Sequence, residues 1–337
     1  MEIVKVSDLT KEYPDGTKAI QGISFSVEEG EFFGFLGPNG AGKSTTIKIL
    51  TTLLRKTSGS VAVGGHDIVA DSKVVRKMIG VQSQDIVVDE DLTGRENLIL
   101  QGHLQQVYGK ALEDRVNELL RIVGLEEVAE KRAAYFSGGM KKRLDLASSL
   151  VHNPKVLFLD EPTTGLDPQS RASIWSYLQK LNKEGGITIF LTTQYMEEAD
   201  KLCHKLSIID HGQIVAQGTP AQLKQEIGAD AISLTLENSD STYNGGREMA
   251  KKALGKLKGI SSIIDSDNGL TVYAKNGGYM IPDIVRALDE ANIRPSSLSL
   301  STPTLDDVFL KHTGRHIRPE ELRKDASAGR MLGRRRR

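Results

Sequence analysis

One loop, at residues 37–44, constrains the fold of this chain more than any other feature. It reads Gly-Pro-Asn-Gly-Ala-Gly-Lys-Ser and matches the phosphate-binding pattern G-x-x-x-x-G-K-[ST]. The apolar run at 31–36 predicts a strand before the loop, and the apolar spacing over 43–54 predicts a helix after it. Free backbone N–H groups at such a helix N-terminus point at an anion. The alternative, a glycine-rich turn that matches by chance, does not explain the two flanking elements, so the sequence predicts an α/β fold that binds phosphate groups.

Each residue of this loop has a predicted part in nucleotide binding. Lys43 supplies a point charge for the β- and γ-phosphates, and the Ser44 hydroxyl can ligate Mg²⁺. The predicted nucleotide contacts in and beside the loop are Gly37, Pro38, Asn39, Gly40, Ala41, Gly42, Lys43, Ser44 and Thr45. The loop alone therefore predicts a bound nucleotide with Mg²⁺.

A second feature is a pair of adjacent carboxylates at the end of an apolar run. Residues 156–162 read Val-Leu-Phe-Leu-Asp-Glu-Pro, a buried strand followed by Asp160 and Glu161. Asp160 is placed to hold Mg²⁺, directly or through water, and Glu161 can polarise a water for attack on the γ-phosphate. The alternative is a strand followed by ordinary acidic loop residues. The phosphate loop upstream favours the catalytic interpretation.

Length and composition exclude several classes of protein. The chain has 337 residues, which suggests two domains. Lys+Arg and Asp+Glu both number 44, so no global basic field indicates a nucleic-acid partner. Cys203 is the single cysteine, which forbids an intrachain disulfide and fits a reducing compartment. No run approaches the roughly 18–20 apolar residues of a membrane span, so we expect a cytoplasmic protein; if it acts on a membrane, another polypeptide must do the crossing.

The patterns along the chain divide it into three parts. Residues 1–220 begin with an antiparallel β region and continue as alternating helices and strands, with buried parallel strands predicted at 155–160 and 187–192. Residues 221–317 follow the order β-α-β-β-α-β, which predicts a ferredoxin-like accessory domain. The tail at 318–337 is polar, ends in four arginines and is predicted to be disordered.

The third motif is Phe136-Ser-Gly-Gly-Met140, which stands before a predicted helix. Two glycines and a serine at a helix N-terminus again favour an anion. With this motif the chain resembles the ABC-transporter ATPases, whose signature usually reads Leu-Ser-Gly-Gly-Gln. The resemblance implies a P-loop nucleotide-binding domain with a parallel-sheet core, an antiparallel β subdomain and a helical signature subdomain, followed here by a small α+β domain. It also implies that Ser137, Gly138 and Gly139 contact the γ-phosphate held by a second copy in a head-to-tail dimer.

Other positions of the family's pattern follow in order. Tyr13 matches the aromatic residue that stacks on adenine, and a half-buried strand tyrosine is the alternative. Gln84 matches the glutamine that senses Mg²⁺ and the γ-phosphate, and the family's spacing favours it over Gln82. The segment 165–167 matches the loop that links two ATP sites. The resemblance thus implies ATP and Mg²⁺ as cofactors, with Ser44, Gln84 and Asp160 as the Mg²⁺ ligands.

One position departs from the family's general pattern. The loop after the strand predicted at 187–192 carries Gln194 where most of these ATPases have a histidine. A glutamine amide donates and accepts hydrogen bonds but has no titratable charge near neutrality. Gln194 can still contact the γ-phosphate and the attacking water, so the expected catalytic residues are Lys43, Glu161 and Gln194.

Three features together resemble one subgroup, the ATP-binding subunits of daunorubicin/doxorubicin-resistance-type exporters. They are Gln194, the Ser-Gly-Gly-Met core of the signature and the segment 303–309. The resemblance implies an ATPase that powers a separate membrane permease from the inner face of the cell membrane. In the family the permease docks just after the glutamine loop, here at 84–96.

Several alternatives stay open at this point. Lipid or polysaccharide is an alternative cargo, because nothing in this chain separates it from a drug. An ABC ATPase that acts on ribosomes or DNA is disfavoured, since the chain has one cassette and no sustained heptads. The C-terminal domain is either a module that stabilises or regulates a dimer, or a structural cap on the ATPase.

Overall fold

The computed structural model describes residues 1–227, 230–236, 243–266, 269–275, 277–301 and 303–314. These residues form two compact units that meet in sequence between Pro220 and Ala221. The polar tail predicted at 318–337 lies outside the described residues. Of the helices described, none is both long enough and apolar enough to cross a bilayer.

Strands and helices alternate through the first unit after an initial β region. In chain order its elements are β1 (Glu2–Glu12), β2 (Lys18–Glu28), β3 (Phe32–Leu36), α1 (Lys43–Leu50), β4 (Ser58–Val63), β5 (His66–Asp67), α2 (Ser72–Met78), β6 (Ile79–Gln82), α3 (Gly94–Leu104), α4 (Gly109–Ile122), α5 (Gly138–Ser148), β7 (Val156–Asp160), α6 (Pro168–Lys183), β8 (Thr188–Thr193), α7 (Met196–Leu202), β9 (Lys205–Asp210) and β10 (Gln213–Gly218).

A six-stranded sheet forms the core of the first unit, in the order β10-β9-β3-β8-β7-β6. β3, β7 and β8 run parallel to one another, and every residue in them is buried, as expected of strands covered on both faces. The rings of Phe33 and Phe190 stack with centroids 5.5 Å apart in this core. The parallel strands predicted at 155–160 and 187–192 are confirmed. Their carboxyl ends meet that of β3 at one edge of the sheet, next to the phosphate loop.

The helix predicted over 43–54 is shorter in the structure. α1 ends at Leu50, and Thr52 adopts a left-handed backbone with φ 65°. The N–H of Leu53 donates to the carbonyl of Lys48 at 2.8 Å, which closes the helix end in the manner of a Schellman motif. Leu53 and Leu54 keep the apolar spacing of the helix in the sequence, but they lie beyond the turn that ends it.

Two further groups of elements surround the core sheet. An antiparallel sheet has the strand order β2-β1-β4-β5. Helices α3, α4 and α5 pack against one another, and α4 buries one apolar face that includes Leu112, Val116 and Leu119. The predicted antiparallel β subdomain and helical subdomain are both present.

The second unit is a four-stranded antiparallel sheet with helices on one face. Its elements are α8 (Pro220–Ile227), β11 (Asp230–Leu236), α9 (Tyr243–Leu254), β12 (Ile260–Ser266), β13 (Gly269–Ala274), α10 (Gly277–Glu290), β14 (Pro295–Ser301) and α11 (Leu305–Thr313). The strand order is β12-β13-β11-β14, and its core joins strand residues such as Ile232 and Val272 to helix residues such as Leu254 and Ile284. This is the element order and strand arrangement of a ferredoxin-like domain.

Candidate nucleotide-binding site

The phosphate loop connects β3 to α1 and requires glycine at two positions. Gly42 is the N-cap of α1 with φ 110°, and a Cβ there would stand 2.6 Å from the carbonyl oxygen of Ala19. A Cβ on Gly37 would stand 2.3 Å from the carbonyl oxygen of Ile209. No side chain of the described residues caps the N-terminus of α1, so its first backbone N–H groups remain available to an anion.

Lys43 already has three oxygen partners at the start of α1. Its Nζ lies 3.0 Å from Glu161 Oε1, and the two side chains are only 3% and 7% exposed. The same Nζ donates to the carbonyls of Gly37 at 2.8 Å and Pro38 at 3.0 Å. A buried cation is thus neutralised by the predicted catalytic carboxylate, and both groups are pre-positioned at one point.

A cavity of about 370 Å³ lies over the loop and gathers most of the predicted site. It is lined by Ala19, Asn39, Gly40, Gly42, Lys43, Ser44, Thr45, Gln84 and Glu161. All of these except Ala19 were predicted from the sequence. Gly37, Pro38 and Ala41 complete the loop without lining the cavity. The carbonyls of Gly37 and Pro38 accept hydrogen bonds from Lys43 Nζ within the loop, whereas the Gly37 N–H and the Ala41 carbonyl bond to Thr193 and Gly212.

Asp160 forms an oxygen-rich cluster with two hydroxyl groups at the end of β7. Ser44 Oγ donates to Asp160 Oδ1 at 3.2 Å, and Thr192 Oγ1 donates to the same oxygen at 2.6 Å. Thr192 reaches it because the register of β7 against β8 pairs the two residues directly. Thr192 is not among the residues predicted for the site, although its place at the end of the predicted neighbouring parallel strand is a signal that points to it.

Glu161 is held in an uncommon backbone conformation directly after β7. Its φ is 50°, and its N–H donates to Thr192, to the carbonyl at 3.1 Å and to Oγ1 at 3.2 Å. Thr164 Oγ1 donates to Glu161 Oε2 at 3.2 Å. Non-glycine residues with positive φ are rare and often belong to functional sites. The turn directs the carboxylate at Lys43. Thr164, which donates to this carboxylate, is not among the residues predicted for the site.

Tyr13 lies close to the phosphate loop, just beyond the end of β1. Its hydroxyl is 3.4 Å from Thr45 Oγ1, and Lys11 Nζ stands 5.2 Å from the centroid of the half-buried ring. The cation lies over the ring at a distance typical of a cation–π contact. Lys11 was not among the predicted site residues.

The two candidate glutamines, Gln82 at the end of β6 and Gln84 just after it, occupy different environments. Gln84 lines the cavity, and its carbonyl accepts a hydrogen bond from Lys142 Nζ at 2.9 Å. Gln82 is buried, and its Nε2 donates to the carbonyl of Lys142 at 3.3 Å. Gln84 therefore shares a cavity with the phosphate loop, whereas Gln82 does not line it.

Gln194 follows β8 and is 3% exposed. The N–H of Gly37 donates to the carbonyl of Thr193 at 3.1 Å, which sets the end of β8 beside the phosphate loop. Gln194 does not line the cavity described above. It stands in the segment that directly follows this contact.

Ser137, Gly138 and Gly139 are not part of the cavity over the phosphate loop. Ser137 is the N-cap of α5 and accepts a hydrogen bond from the N–H of Met140 at 3.2 Å. A Cβ on Gly139 would stand 2.8 Å from Ser170 Oγ, in the helix that follows the segment 165–167. The N-termini of α1 and α5 are therefore separate helix ends, and the cavity that gathers the other predicted residues lies at that of α1.

Both units match described families. Residues 20–164 match the family described as "ABC transporter". Residues 218–313 match "ATP-binding protein DrrA1-3-like, C-terminal domain".

Curated relatives match along almost the whole chain. The daunorubicin resistance ATP-binding protein DrrA3 of Streptomyces coeruleorubidus is 42% identical over 94% of this chain and 98% of its own length. The doxorubicin resistance ATP-binding protein DrrA of Mycobacterium tuberculosis is 39% identical over 92% and 93%. The linearmycin resistance ATP-binding protein LnrL of Bacillus subtilis is 35% identical over 94% and 100%.

Solved structures match the first unit. The ABC transporter component cbiO1 of Clostridium perfringens is 32% identical with a TM-score of 0.62, over 67% of this chain and 93% of its own. A dimeric ATP-binding cassette in a post-hydrolysis state with ADP and Pi is 28% identical with a TM-score of 0.58, over 64% and 98%. With the glycine loop, the paired carboxylates and these likenesses together, the chain belongs to the ABC transporter family, as an ATP-binding and ATP-hydrolysing subunit of the group that carries the DrrA1-3-like C-terminal domain.

Proposed function

We propose that this chain hydrolyses ATP with Glu161 as the base and Lys43 as the main charge on the β- and γ-phosphates, and that it thereby powers export through a separate permease. The observation that carries the proposal is the contact between these two residues, 3.0 Å from Nζ to Oε1 and almost fully buried. A buried cation needs an anion beside it. Before nucleotide binds, Glu161 supplies that anion at the place where phosphate oxygens would otherwise stand.

Phosphate binding then sets Glu161 free for catalysis. When the β- and γ-phosphates take over Lys43 Nζ, the carboxylate loses its cation and can accept a proton from a water. Thr164 Oγ1 still donates to Oε2 of Glu161, so the carboxylate keeps its direction. Proton transfer to a positioned carboxylate contributes about 10²–10⁴-fold to such reactions.

The oxygen cluster beside Lys43 fits Mg²⁺. Ser44 Oγ and Asp160 Oδ1 are 3.2 Å apart, and Gln84 lines the cavity that Ser44 also lines, so these residues offer hydroxyl, carboxylate and amide oxygens of the kind that a hard cation prefers. Among the described residues, no group of three His, Cys, Asp or Glu could hold a metal ion. When bound, Mg²⁺ supplies positive charge to the β- and γ-phosphate oxygens. Thr192 holds the Asp160 carboxylate in place for it.

We further propose that the site is completed by a second copy of the chain. Ser137, Gly138 and Gly139 stand outside the cavity of their own chain, although glycine at a helix N-terminus suits a phosphate. A head-to-tail arrangement brings them to the γ-phosphate on the partner's phosphate loop. Tyr13 would stack on the adenine, and Gln194 would contact the γ-phosphate and the water as a neutral group.

The partner that does the transport is proposed to be an integral-membrane permease, which would keep this chain at the inner face of the cell membrane. Beside Ser83 lies a groove of about 680 Å³, lined by the basic residues Lys73, Arg76 and Lys77 and by apolar residues that include Leu104. None of the described residues that line it is a carboxylate. An acidic, amphipathic permease segment would complement this groove.

The acidic run of the segment 84–96 is less suited to dock basic permease loops. Asp89 Oδ1 accepts a hydrogen bond from the N–H of Asp91 at 3.0 Å, and Glu90 is paired with Lys141. These carboxylates are engaged within the chain. Docking through the neighbouring basic groove is therefore the proposal that the charges favour.

The proposed cargo is an antibiotic or a similar hydrophobic molecule. The support comes from the relatives, which are named for resistance to daunorubicin, doxorubicin and linearmycin. A relative from Sinorhizobium fredii, 36% identical, is named a Nod factor export protein, which keeps lipid or polysaccharide as the second candidate. Co-expression with its permease in a drug-sensitive host, followed by drug efflux assays, separates a drug cargo from a lipid or polysaccharide cargo.

The hydrolytic mechanism is tested by Glu161→Gln. We expect ATP turnover to fall by about 100-fold or more, while ATP affinity stays equal or rises because Lys43 is no longer neutralised. Turnover assays and nucleotide titration measure the two quantities. Glu184→Gln, on an exposed residue paired with Lys180, is the control. Turnover within a few-fold of wild type would remove Glu161 from the role of base.

A further inference from the structure

Helix α5 carries two charged residues that are buried away from solvent. Lys142 is 5% and Asp145 6% exposed, and they lie one turn apart on the same face of the helix. Burial lowers the pKa of Lys142 and raises the pKa of Asp145. Buried charges are costly unless specific partners compensate them, so their partners indicate what this face of the helix does.

Both side chains bond to the backbone of the segment that carries Gln84. Lys142 Nζ donates to the Gln84 carbonyl at 2.9 Å, and the Val87 N–H donates to Asp145 Oδ1 at 3.2 Å. A third bond joins α5 to the residues just before this segment: Gln82 Nε2 donates to the Lys142 carbonyl at 3.3 Å. Helix α5 thus contacts this segment at its start, at Gln84 and at Val87.

Besides its bonds to α5, the segment is held at its far end by α3, where the Asp89 N–H donates to Asn97 Oδ1 at 2.9 Å and Asn97 Nδ2 donates to the Asp89 carbonyl at 2.9 Å. Residues 83–89, all of them described, form neither helix nor strand. Residues 83–87 are exposed, and Val87 is 75% exposed. Apolar packing therefore cannot hold the segment, whereas hydrogen bonds to charged, buried partners can.

We propose that Lys142 and Asp145 are positioning residues that fix the Gln84 segment at the nucleotide cavity and tie it to α5. This proposal rests on the proposed function, because it assumes that Gln84 acts on the bound nucleotide. The N-terminus of α5 carries Ser137, which the dimer would present to the partner's nucleotide. Gln84 of one site and Ser137 of the other would then move as one body, and occupancy of one site would be transmitted to the next.

The first test reads the position of the segment directly. Asp145→Leu removes the acceptor of the Val87 N–H, so we expect hydrogen exchange at this amide to become at least about tenfold faster, since bonds to charged acceptors are among the stronger ones. Lys142→Met and the surface variant Val87→Pro, which removes the donor without touching the core, break the same attachment. Arg143→Met is the matched control, because Arg143 lies on the same helix but donates to the Val123 carbonyl at 2.8 Å.

The second test separates positioning from general destabilisation. Lys142→Met and Val87→Pro should lower kcat about tenfold or more and leave the Kd for ADP within about twofold, since the phosphate loop is untouched. Lys142→Arg, which keeps a cationic donor, should restore most of the turnover. In the background of Gln84→Ala, Lys142→Met should cause no additional loss, because it acts through Gln84.

The outcomes distinguish this proposal from the proposed function. Unchanged Val87 exchange in Asp145→Leu, full turnover in Val87→Pro, or additive losses for Lys142→Met and Gln84→Ala would each overturn the positioning role. Where Asp145→Leu or Lys142→Met does not fold, Val87→Pro alone decides. Normal turnover of Gln84→Ala would instead contradict the function proposed for Gln84, while the exchange rate of Val87 would still report whether α5 holds the segment.

Discussion

Helices α1 and α5 both begin at glycine-rich sequences, yet their N-termini are built differently. At α1 the N-cap is Gly42 with φ 110°, and no side chain in the described part of the chain caps the helix. At α5 the N-cap is Ser137, whose hydroxyl accepts the N–H of Met140. The first end leaves its donors to a ligand, and the second satisfies one of them itself.

The surroundings of the two ends differ in the same sense. The end of α1 opens into a cavity that also contains Glu161 and Gln84. At the end of α5, a Cβ built on Gly138 would meet no described atom within 4 Å. The α1 end is thus surrounded by other predicted site residues, whereas the α5 end lies outside their cavity, which is the arrangement that the proposed head-to-tail dimer would use.

The largest effect is expected from Lys43→Ala, which removes the buried cation at the N-terminus of α1. Turnover should fall by at least about 100-fold, because the main charge that stabilises the phosphates is lost, and ATP affinity should fall with it. Folding stability should fall as well, since removal of one partner of a buried pair leaves the other uncompensated, at a cost of about 3–5 kcal/mol. Nucleotide titration, turnover and denaturant unfolding measure the three effects.

Two variants check the reasons behind that expectation. Lys48→Ala removes an exposed lysine from the same helix and should leave binding and turnover unchanged. The double variant Lys43→Ala with Glu161→Gln should regain stability without regaining activity, because the orphaned carboxylate is gone. If the double variant is no more stable than Lys43→Ala, the unpaired Glu161 carboxylate is not what destabilises Lys43→Ala, and the buried pair at 3.0 Å does not account for the loss of stability.

A smaller and more selective effect is expected from Ser137→Asp at the α5 end. Aspartate is as good an N-cap as serine, so the free energy of unfolding should change by less than about 0.5 kcal/mol. The new negative charge would face the partner's γ-phosphate, so ATP-dependent dimerisation should be lost. Light scattering with ATP, in the Glu161→Gln background that prevents turnover, measures this.

Thr93→Asp is the matched control for that substitution. Thr93 is the N-cap of α3 and accepts the N–H of Glu96 at 3.1 Å, so it repeats the chemical change at a helix with no proposed part in nucleotide binding. Its dimerisation with ATP should match wild type. Equal dimerisation of Ser137→Asp and Thr93→Asp would mean that the α5 end does not meet the partner's nucleotide.

The contrast between the two ends also explains what the sequence could predict. The loop at 37–44 and the pair Asp160 and Glu161 are short, contiguous motifs whose chemistry follows from neighbouring residues. The strands that carry them are buried apolar runs, which is why β7 and β8 were placed within one residue of their observed limits. Local motifs and buried strands can be predicted from the sequence because a few contiguous residues specify each of them.

Contacts between distant segments were not predictable in this way. Thr192 meets Asp160 only because of the register of β7 and β8, and no periodicity in either strand fixes that register. Lys142 and Asp145 lie in a helix whose pattern predicts charges in water, and their burial follows from the packing of α5 against the Gln84 segment. The missing information is tertiary: it concerns which surface each element covers.

The smallest expected effect concerns Gln194, behind the α1 end. Because Gln194 does not titrate, the pH–rate profile of the wild type should lack a histidine limb between about pH 5 and 8. Gln194→His should introduce such a limb with an apparent pKa near ~6.5, shifted by whatever charge the bound phosphates place beside the imidazole. Steady-state turnover measured across this range for both proteins gives the comparison.

The control for this change is Gln217→His on the exposed face of β10, which adds the same imidazole away from the phosphate loop. Its profile should follow that of the wild type. A wild-type limb near ~6.5 that persists in Gln194→His would assign the titration to another group, and the neutral amide would then not explain the pH behaviour. If the pH–rate profile of Gln194→His alone shows this titration, residue 194 contacts the reacting phosphate. The site at the N-terminus of α1 would then lack only the proposed contribution from the N-terminus of α5 in the partner copy.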